Sequence, residues 1–149
     1  MTTSEKNVAT ITHLSTLTQY FIPFGNYIFP ILIWSSKKNE SEFVDYNGKQ
    51  TLNFQLSMLL YSLLLLLVSI PTLLYTVFKN INFYELDNHN FSFEDLSTGN
   101  ITGIVVVAVV VMLLFFFMKI MEFFLIIYAA VKTSNGENYK YPLTISFFK

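Results

Sequence analysis

Polar and apolar positions along the chain separate into long blocks. Three stretches contain no Asp, Glu, Lys or Arg: Val8 to Ser36, Gln50 to Phe78 and Leu96 to Met118, of 29, 29 and 23 residues. A bilayer core of ~30 Å is crossed by about 20 apolar helical residues. A soluble chain of 149 residues could not bury three such runs and keep a solvated surface. The runs are continuously apolar, whereas strands of a membrane barrel alternate. The expected fold is all-α: a single integral membrane helical bundle with about three transmembrane segments. The spans fall at about 11–34, 52–78 and 101–131, with a loop at 79–100 and a tail at 132–149.

The first segment has two halves. Thr12, Ser15, Thr16 and Gln19 form a polar stripe on one helical face. Beyond Pro23-Phe24-Gly25-Asn26 the chain is wholly apolar to Ile33. Pro23 removes a helix hydrogen bond, so a kink or break is expected at 23–26. Either the segment crosses once, or an interfacial half-helix precedes a short re-entrant one. Pro71 predicts a kink in the second span. The Val-rich run Val105–Val111 is expected to be helical, because in lipid the backbone must bond to itself.

Lysines orient the bundle. Lys37, Lys38 and Lys49 lie in the 35–50 loop and Lys132, Lys140 and Lys149 in the tail, whereas the 79–100 loop has only Lys79 beside four acids. With three crossings the C-terminus lies on the cytoplasmic side and the N-terminus outside. A re-entrant first segment puts both inside. Trp34 sits where an interfacial anchor belongs. The opening residues lack a basic leader and a cleavage site, so the first segment is expected to stay in the mature protein.

Composition narrows the chemistry. There is no Cys, hence no disulfide and no thiolate nucleophile. All nine basic residues are Lys and the net charge is −1, which argues against nucleic acid. No cofactor or metal site is indicated: His89 beside Asp87 and Glu85 is a weak cation motif, and no catalytic signature occurs. The expectation is a non-enzyme. The loop from Asn80 to Asn100 interleaves acids with Phe83, Tyr84, Phe91 and Phe93, as a solvated loop lying on headgroups or as a docking surface.

The most distinctive residues flank the 35–50 loop. They are Phe21-Ile22-Pro23-Phe24-Gly25-Asn26, Pro30, Ile33-Trp34, Lys37-Lys38-Asn39-Glu40-Ser41, Phe43-Val44-Asp45, Gly48-Lys49 and Leu52-Asn53-Phe54-Gln55. The tail adds Asn135-Gly136-Glu137 and Tyr139-Lys140-Tyr141-Pro142-Leu143. As an ordered set these resemble a family of small bacterial membrane proteins, distantly similar to the Tic-twenty component of the chloroplast inner-envelope import machinery. The resemblance covers most of residues 7–79 and 119–148. It implies an accessory or structural subunit of a protein-translocation or membrane-protein-assembly complex in the bacterial inner membrane, with lipids and other membrane proteins, a translocon among them, or further copies as partners.

Ser41 to Gly48 reads as a polar turn, with Gly48 supplying an angle other residues resist. Asn53 and Gln55 serve either as interhelical hydrogen-bonding groups or as a polar rim on a groove that receives a partner chain. Phe43, Asp45, Lys49, Tyr141 and Pro142 complete the candidate partner-contact set. After Pro142, Leu143, Ile145 and Phe147 alternate with Thr144 and Ser146, which suggests an extended segment. Lys119 and Glu122 are the formal charges inside the last apolar segment, and at i, i+3 they can pair. They are expected to neutralise each other in a protein-facing position. The competing reading is a small channel or transporter with a polar path through Lys119 and Glu122 and the Thr12 to Gln19 stripe. His13, with no carboxylate at helical spacing, reads as structural.

Overall fold

The computed structural model describes the backbone of residues 1–78 and 98–149, and the side chains of 1–75 and 103–149. Its elements are α1 (Thr3–Ser15), a 3₁₀ turn (Thr16–Tyr20), α2 (Gly25–Lys37), α3 (Glu42–Phe78) and α4 (Thr98–Ser134). The described chain is all-α, as the hydrophobic blocks predict. The expected 79–100 loop, with Glu85, Asp87, His89 and its interleaved aromatics, lies almost wholly outside the described residues.

Two described helices are long and apolar enough to cross a membrane, over Glu42–Tyr75 and Gly103–Ser134. Each parent helix has 37 residues, about 55 Å of rise. Their leucines, valines and phenylalanines point outward, among them Leu63, Leu67, Val106, Met112 and Phe116. The core helix of a soluble domain would bury that face; these present it to lipid. Helix α3 runs unbroken through Pro71.

Beside these two long helices, the first expected segment is a hairpin broken near Pro23–Gly25, as the sequence predicts. Each limb of that hairpin, α1 and α2, has 13 residues, about 20 Å and short of a bilayer core. The break follows from local chemistry. Pro23 has no N–H to give, and Phe24 adopts φ 61, the left-handed region. Gly25 then allows a close approach, since a Cβ there would lie 2.5 Å from Thr18 Oγ1. The chain doubles back, and α2 packs on α1 and on the 3₁₀ turn.

Consequently the start of α1 lies beside the turn between α2 and α3. Thr2, Glu5 and Val8 share a pocket with Lys37, Glu40, Ser41 and Val44. Thr2 and Glu5 cap the helix reciprocally. The Thr2 backbone N–H and the Ser41 hydroxyl hold the Glu5 carboxyl below the usual carboxylate range. A Cβ on Gly136, just past α4, would strike Met1 and Lys6. The N-terminus, the 37–44 turn and the start of the tail therefore lie together.

One expectation is corrected at residues 41–48. They are not a turn: α3 begins at Glu42, with the Ser41 hydroxyl accepting from the Val44 N–H at 3.4 Å. Gly48 sits inside the helix for room, because a Cβ would lie 2.2 Å from Trp34 Cδ1. Gly136 is the glycine that needs its freedom. At φ 88 it closes α4, with Gly136 N–H donating to Thr133 O and Glu137 N–H to Lys132 O, a Schellman ending.

The chain forms two compact units, Met1–Tyr61 with Lys119–Lys149, and Ser62–Met118. The described part of the second is helical, its large apolar side chains mostly exposed. The first has a small apolar core of Phe54, Ile126, Ala129 and Tyr141, flanked by Leu17, Met58, Leu125 and Tyr139. Most of its other fully buried side chains are polar.

Candidate functional site: the polar interior of the first unit

Burying a polar group without a partner costs more than a kilocalorie, so a polar interior folds only if its members satisfy one another. His13 on α1 is fully buried. Its Nε2 lies 3.3 Å from Asn47 Oδ1, and its Nδ1 lies 2.9 Å from the Tyr141 hydroxyl and 2.8 Å from Thr51 Oγ1. Asn47 Nδ2 donates to Phe43 O and to Asn138 Oδ1, which leaves Asn47 Oδ1 as an acceptor. The imidazole therefore carries its proton on Nε2 and accepts at Nδ1. His13 is structural, as expected: it pins α1 to α3 and to the tail.

Lys119 and Glu122 form an ion pair. Lys119 Nζ lies 2.7 Å from Glu122 Oε2, and Gln19 joins it. The Gln19 Nε2 amide donates to Glu122 Oε1 at 2.9 Å, and Lys119 donates to Gln19 Oε1 at 3.1 Å. The partners are unequal: the Glu122 side chain is 0% exposed and that of Lys119 50%. A carboxylate enclosed in apolar surroundings is stable only when paired, and here it receives two donors. The long lysine reaches the surface from the same pair.

Asn53 and Gln55 are both buried, on different faces of α3. Gln55 Oε1 accepts from Asn26 Nδ2 at 2.7 Å, an interhelical bond to α2; Gln55 Nε2 faces no acceptor among the described residues. Asn53 faces the tail. Its Oδ1 accepts from the N–H groups of Phe147 and Phe148 at 3.0 and 2.8 Å, and its Nδ2 donates to Phe148 O at 2.9 Å. The tail is extended, as its alternation suggests, and held along α3 through its main chain.

Phe43, Asp45 and Lys49 line a cleft of about 660 Å³ with Tyr46, Gln50 and Phe148. Asp45 is held by Lys49 at 2.6 Å and by the Trp34 indole N–H at 2.9 Å. Trp34 is thus an anchor to α3, half-buried against Gly48. Tyr141 lies at the centre of the apolar core, its ring stacked on Phe54 with centroids 4.1 Å apart. Pro142 is exposed and precedes Leu143, whose φ of 55 is left-handed. Such a conformation costs a bulky residue roughly 1–2 kcal/mol.

Asn47, Thr51 and Ser57 are central here and do not stand out in the sequence. Their signal is spacing: Val44, Asn47, Thr51 and Phe54 follow one face at three- and four-residue steps, polar and apolar mixed. No group of three or more His, Asp or Glu positioned for a metal occurs among the described residues.

No curated protein and no solved structure matches the chain. A family match does exist, to proteins described by magnetite crystal formation rather than by protein import, and it covers residues 4–148. With an apolar exterior, a hydrogen-bonded polar interior and a match over nearly its whole length, the chain belongs to the magnetosome magnetite crystal formation protein family, a family of small bacterial membrane proteins.

Proposed function

We propose that the protein is a non-enzymatic membrane subunit that organises other membrane proteins, in a complex for protein translocation or membrane-protein assembly of the Tic-twenty-like kind. In a family described by magnetosome crystal formation, that role would lie with the membrane's protein content. One observation carries the reading. The polar groups inside the first unit are spent on one another, tying the hairpin and the tail to two long helices. An arrangement of that kind supports a scaffold better than a reaction centre.

The topology we infer puts the end holding Lys6, Lys37, Lys38, Lys49, Lys132, Lys140 and Lys149 in the cytoplasm, seven lysines against Lys79. Site-specific crosslinking in native membranes, followed by identification of what is captured, tests the role. A translocation or assembly component among the products supports it; products containing only further copies of the chain overturn it.

A second reading is favoured by one feature, the half-exposed ammonium of Lys119, which with Glu122 is the charge inside an otherwise apolar segment. It makes the protein a channel or transporter subunit. Lys119→Met combined with Glu122→Gln separates the two. Under the scaffold reading the double variant accumulates and captures its partners as before; under the channel reading it accumulates and loses function.

A further inference from the structure

The tail is held along α3 through its main chain, with the Phe148 ring in addition edge-on to Trp34 at 5.8 Å between centroids. Three polar residues on one α3 face, Asn53, Ser57 and Tyr61, are spaced at i, i+4 and i+8. Each bonds to tail backbone, and the Ser57 hydroxyl also donates to Asn53 O of its own helix at 2.7 Å. Tyr61 OH donates to Leu143 O at 2.7 Å, the Ser57 hydroxyl accepts from the Ile145 N–H at 2.8 Å, and Asn53 holds Phe147 and Phe148. Meanwhile Leu143, Ile145, Phe147 and Phe148 are 74%, 40%, 48% and 40% exposed. The stripe reads the main chain of an extended segment and leaves its apolar side chains partly exposed.

We propose that this α3 stripe is a binding groove for an extended apolar segment of another membrane protein, and that residues 143–148 occupy it as a built-in stand-in. Three features support exchange. Main-chain recognition accepts many sequences, as strand addition to a sheet edge does. A backbone entering lipid must find partners for its N–H and C=O groups, and the stripe supplies them. The resident segment is also poorly suited to its seat, because Leu143 is forced to a left-handed φ of 55. The cleft lined by Phe43, Tyr46, Lys49 and Phe148 opens beside the seated end and gives an incoming chain a place to start. The proposal deepens the assembly reading by naming what the subunit receives.

The chain has no cysteine, so a designed pair is unambiguous. Ser57→Cys with Ile145→Cys, in full-length protein in nanodiscs, can be bridged by oxidation or a short bifunctional thiol reagent to lock the tail in place. The probes are a fluorescent peptide Leu-Thr-Ile-Ser-Phe-Phe, a reordered peptide Ile-Thr-Phe-Ser-Leu-Phe, and the first peptide N-methylated at both Phe residues. The open protein is expected to bind the first two with affinities within about threefold. Locking, N-methylation and Asn53→Leu should each weaken binding at least tenfold.

Equal binding by locked and open protein, failure of the reordered peptide, or no binding to the open form would overturn the groove. Disulfide-linked dimers joining position 57 of one chain to 145 of another would assign the groove to a swapped copy instead, and overturn it also. None of these results touches the crosslinking test of the assembly role, so the two readings fail separately.

Discussion

The two units are built on opposite plans from similar residues. In Ser62–Met118 the large described side chains are apolar and mostly exposed, and polar Ser69 bonds back to Leu65 O of its own helix. The other unit, Met1–Tyr61 with Lys119–Lys149, has an apolar exterior as well, with Ile28, Leu32, Phe124 and Val131 exposed. Its interior holds His13, Asn47, Thr51, Asn53, Gln55, Ser57 and Glu122. Lipid is as apolar as leucine, so burying leucine between helices in a membrane gains little; polar groups and close packing supply the specificity. A helix with no buried polar group can tolerate many neighbours. One that buries a carboxylate or an imidazole accepts only an arrangement that satisfies it. The first unit is accordingly where a unique structure is encoded, and substitutions should hurt there and be absorbed in the second.

The largest effect is expected at Lys119. Lys119→Met leaves the wholly buried Glu122 with only the Gln19 amide, and breaking a buried pair in this way costs roughly 3–5 kcal/mol. Glu122→Gln should cost clearly less, because the 50% exposed Lys119 can turn to water or headgroups. The double variant Lys119→Met with Glu122→Gln should recover most of the loss. Unfolding in mixed micelles measures all three. Equal losses for the two single variants would show that burial does not separate the partners.

Asn47→Leu comes next. It strips the Nε2–H of His13 of its acceptor and removes the partner of Asn138, a loss of about 1–3 kcal/mol. The matching change in the second unit, Ser69→Ala, removes a bond within one helix turn and should shift stability by less than about 0.5 kcal/mol. Comparing the two in one unfolding assay puts the contrast between the units on a single scale, and similar losses would erase it.

Gly48→Ala should cost about 1–3 kcal/mol as overpacking, since the new Cβ would meet Trp34. A smaller residue at 34 should relieve part of that strain while losing the bond to Asp45, so Trp34→Leu and Gly48→Ala should couple in a double-mutant cycle. Additive behaviour would mean that the helix, rather than the indole, resists the methyl group.

How much of this was legible in the sequence follows from the same physics. Charge-free runs reveal helices, because the bilayer sets their length; α3 and α4 were readable for that reason. The break at Pro23–Gly25 was readable from proline chemistry, and the Lys119–Glu122 pair from helical spacing. That the break makes a hairpin was not, since the contacts that bring its ends together join residues far apart, such as Gly136 with Met1 and Lys6. Gly48 misled because one residue type serves two needs, a special angle or a missing side chain. Asn47 and Thr51 were silent because a lone Asn in a helix looks alike facing headgroups or a buried imidazole. Gln19 was visible in its stripe, but its link to Glu122 crosses 103 residues.

The smallest effect tests the second unit directly. Leu67 is 69% exposed on α3, in a stretch where the neighbouring medium is lipid. Truncating a leucine in a soluble core costs 2–5 kcal/mol, and fully buried Leu52, 1% exposed in the first unit, should approach the low end of that range as Leu52→Ala. For Leu67→Ala the same atoms meet hydrocarbon in the folded bundle and in the separated helices alike, so the change should stay within about 0.5 kcal/mol. The comparison is made in nanodiscs by steric trapping or reversible unfolding, with both variants in one lipid. A loss above about 1.5 kcal/mol at Leu67 would mean that its outward face is covered by protein in the native state. The second unit would then be an interface in its own right, and the contrast between the units would be one of partners rather than of plan.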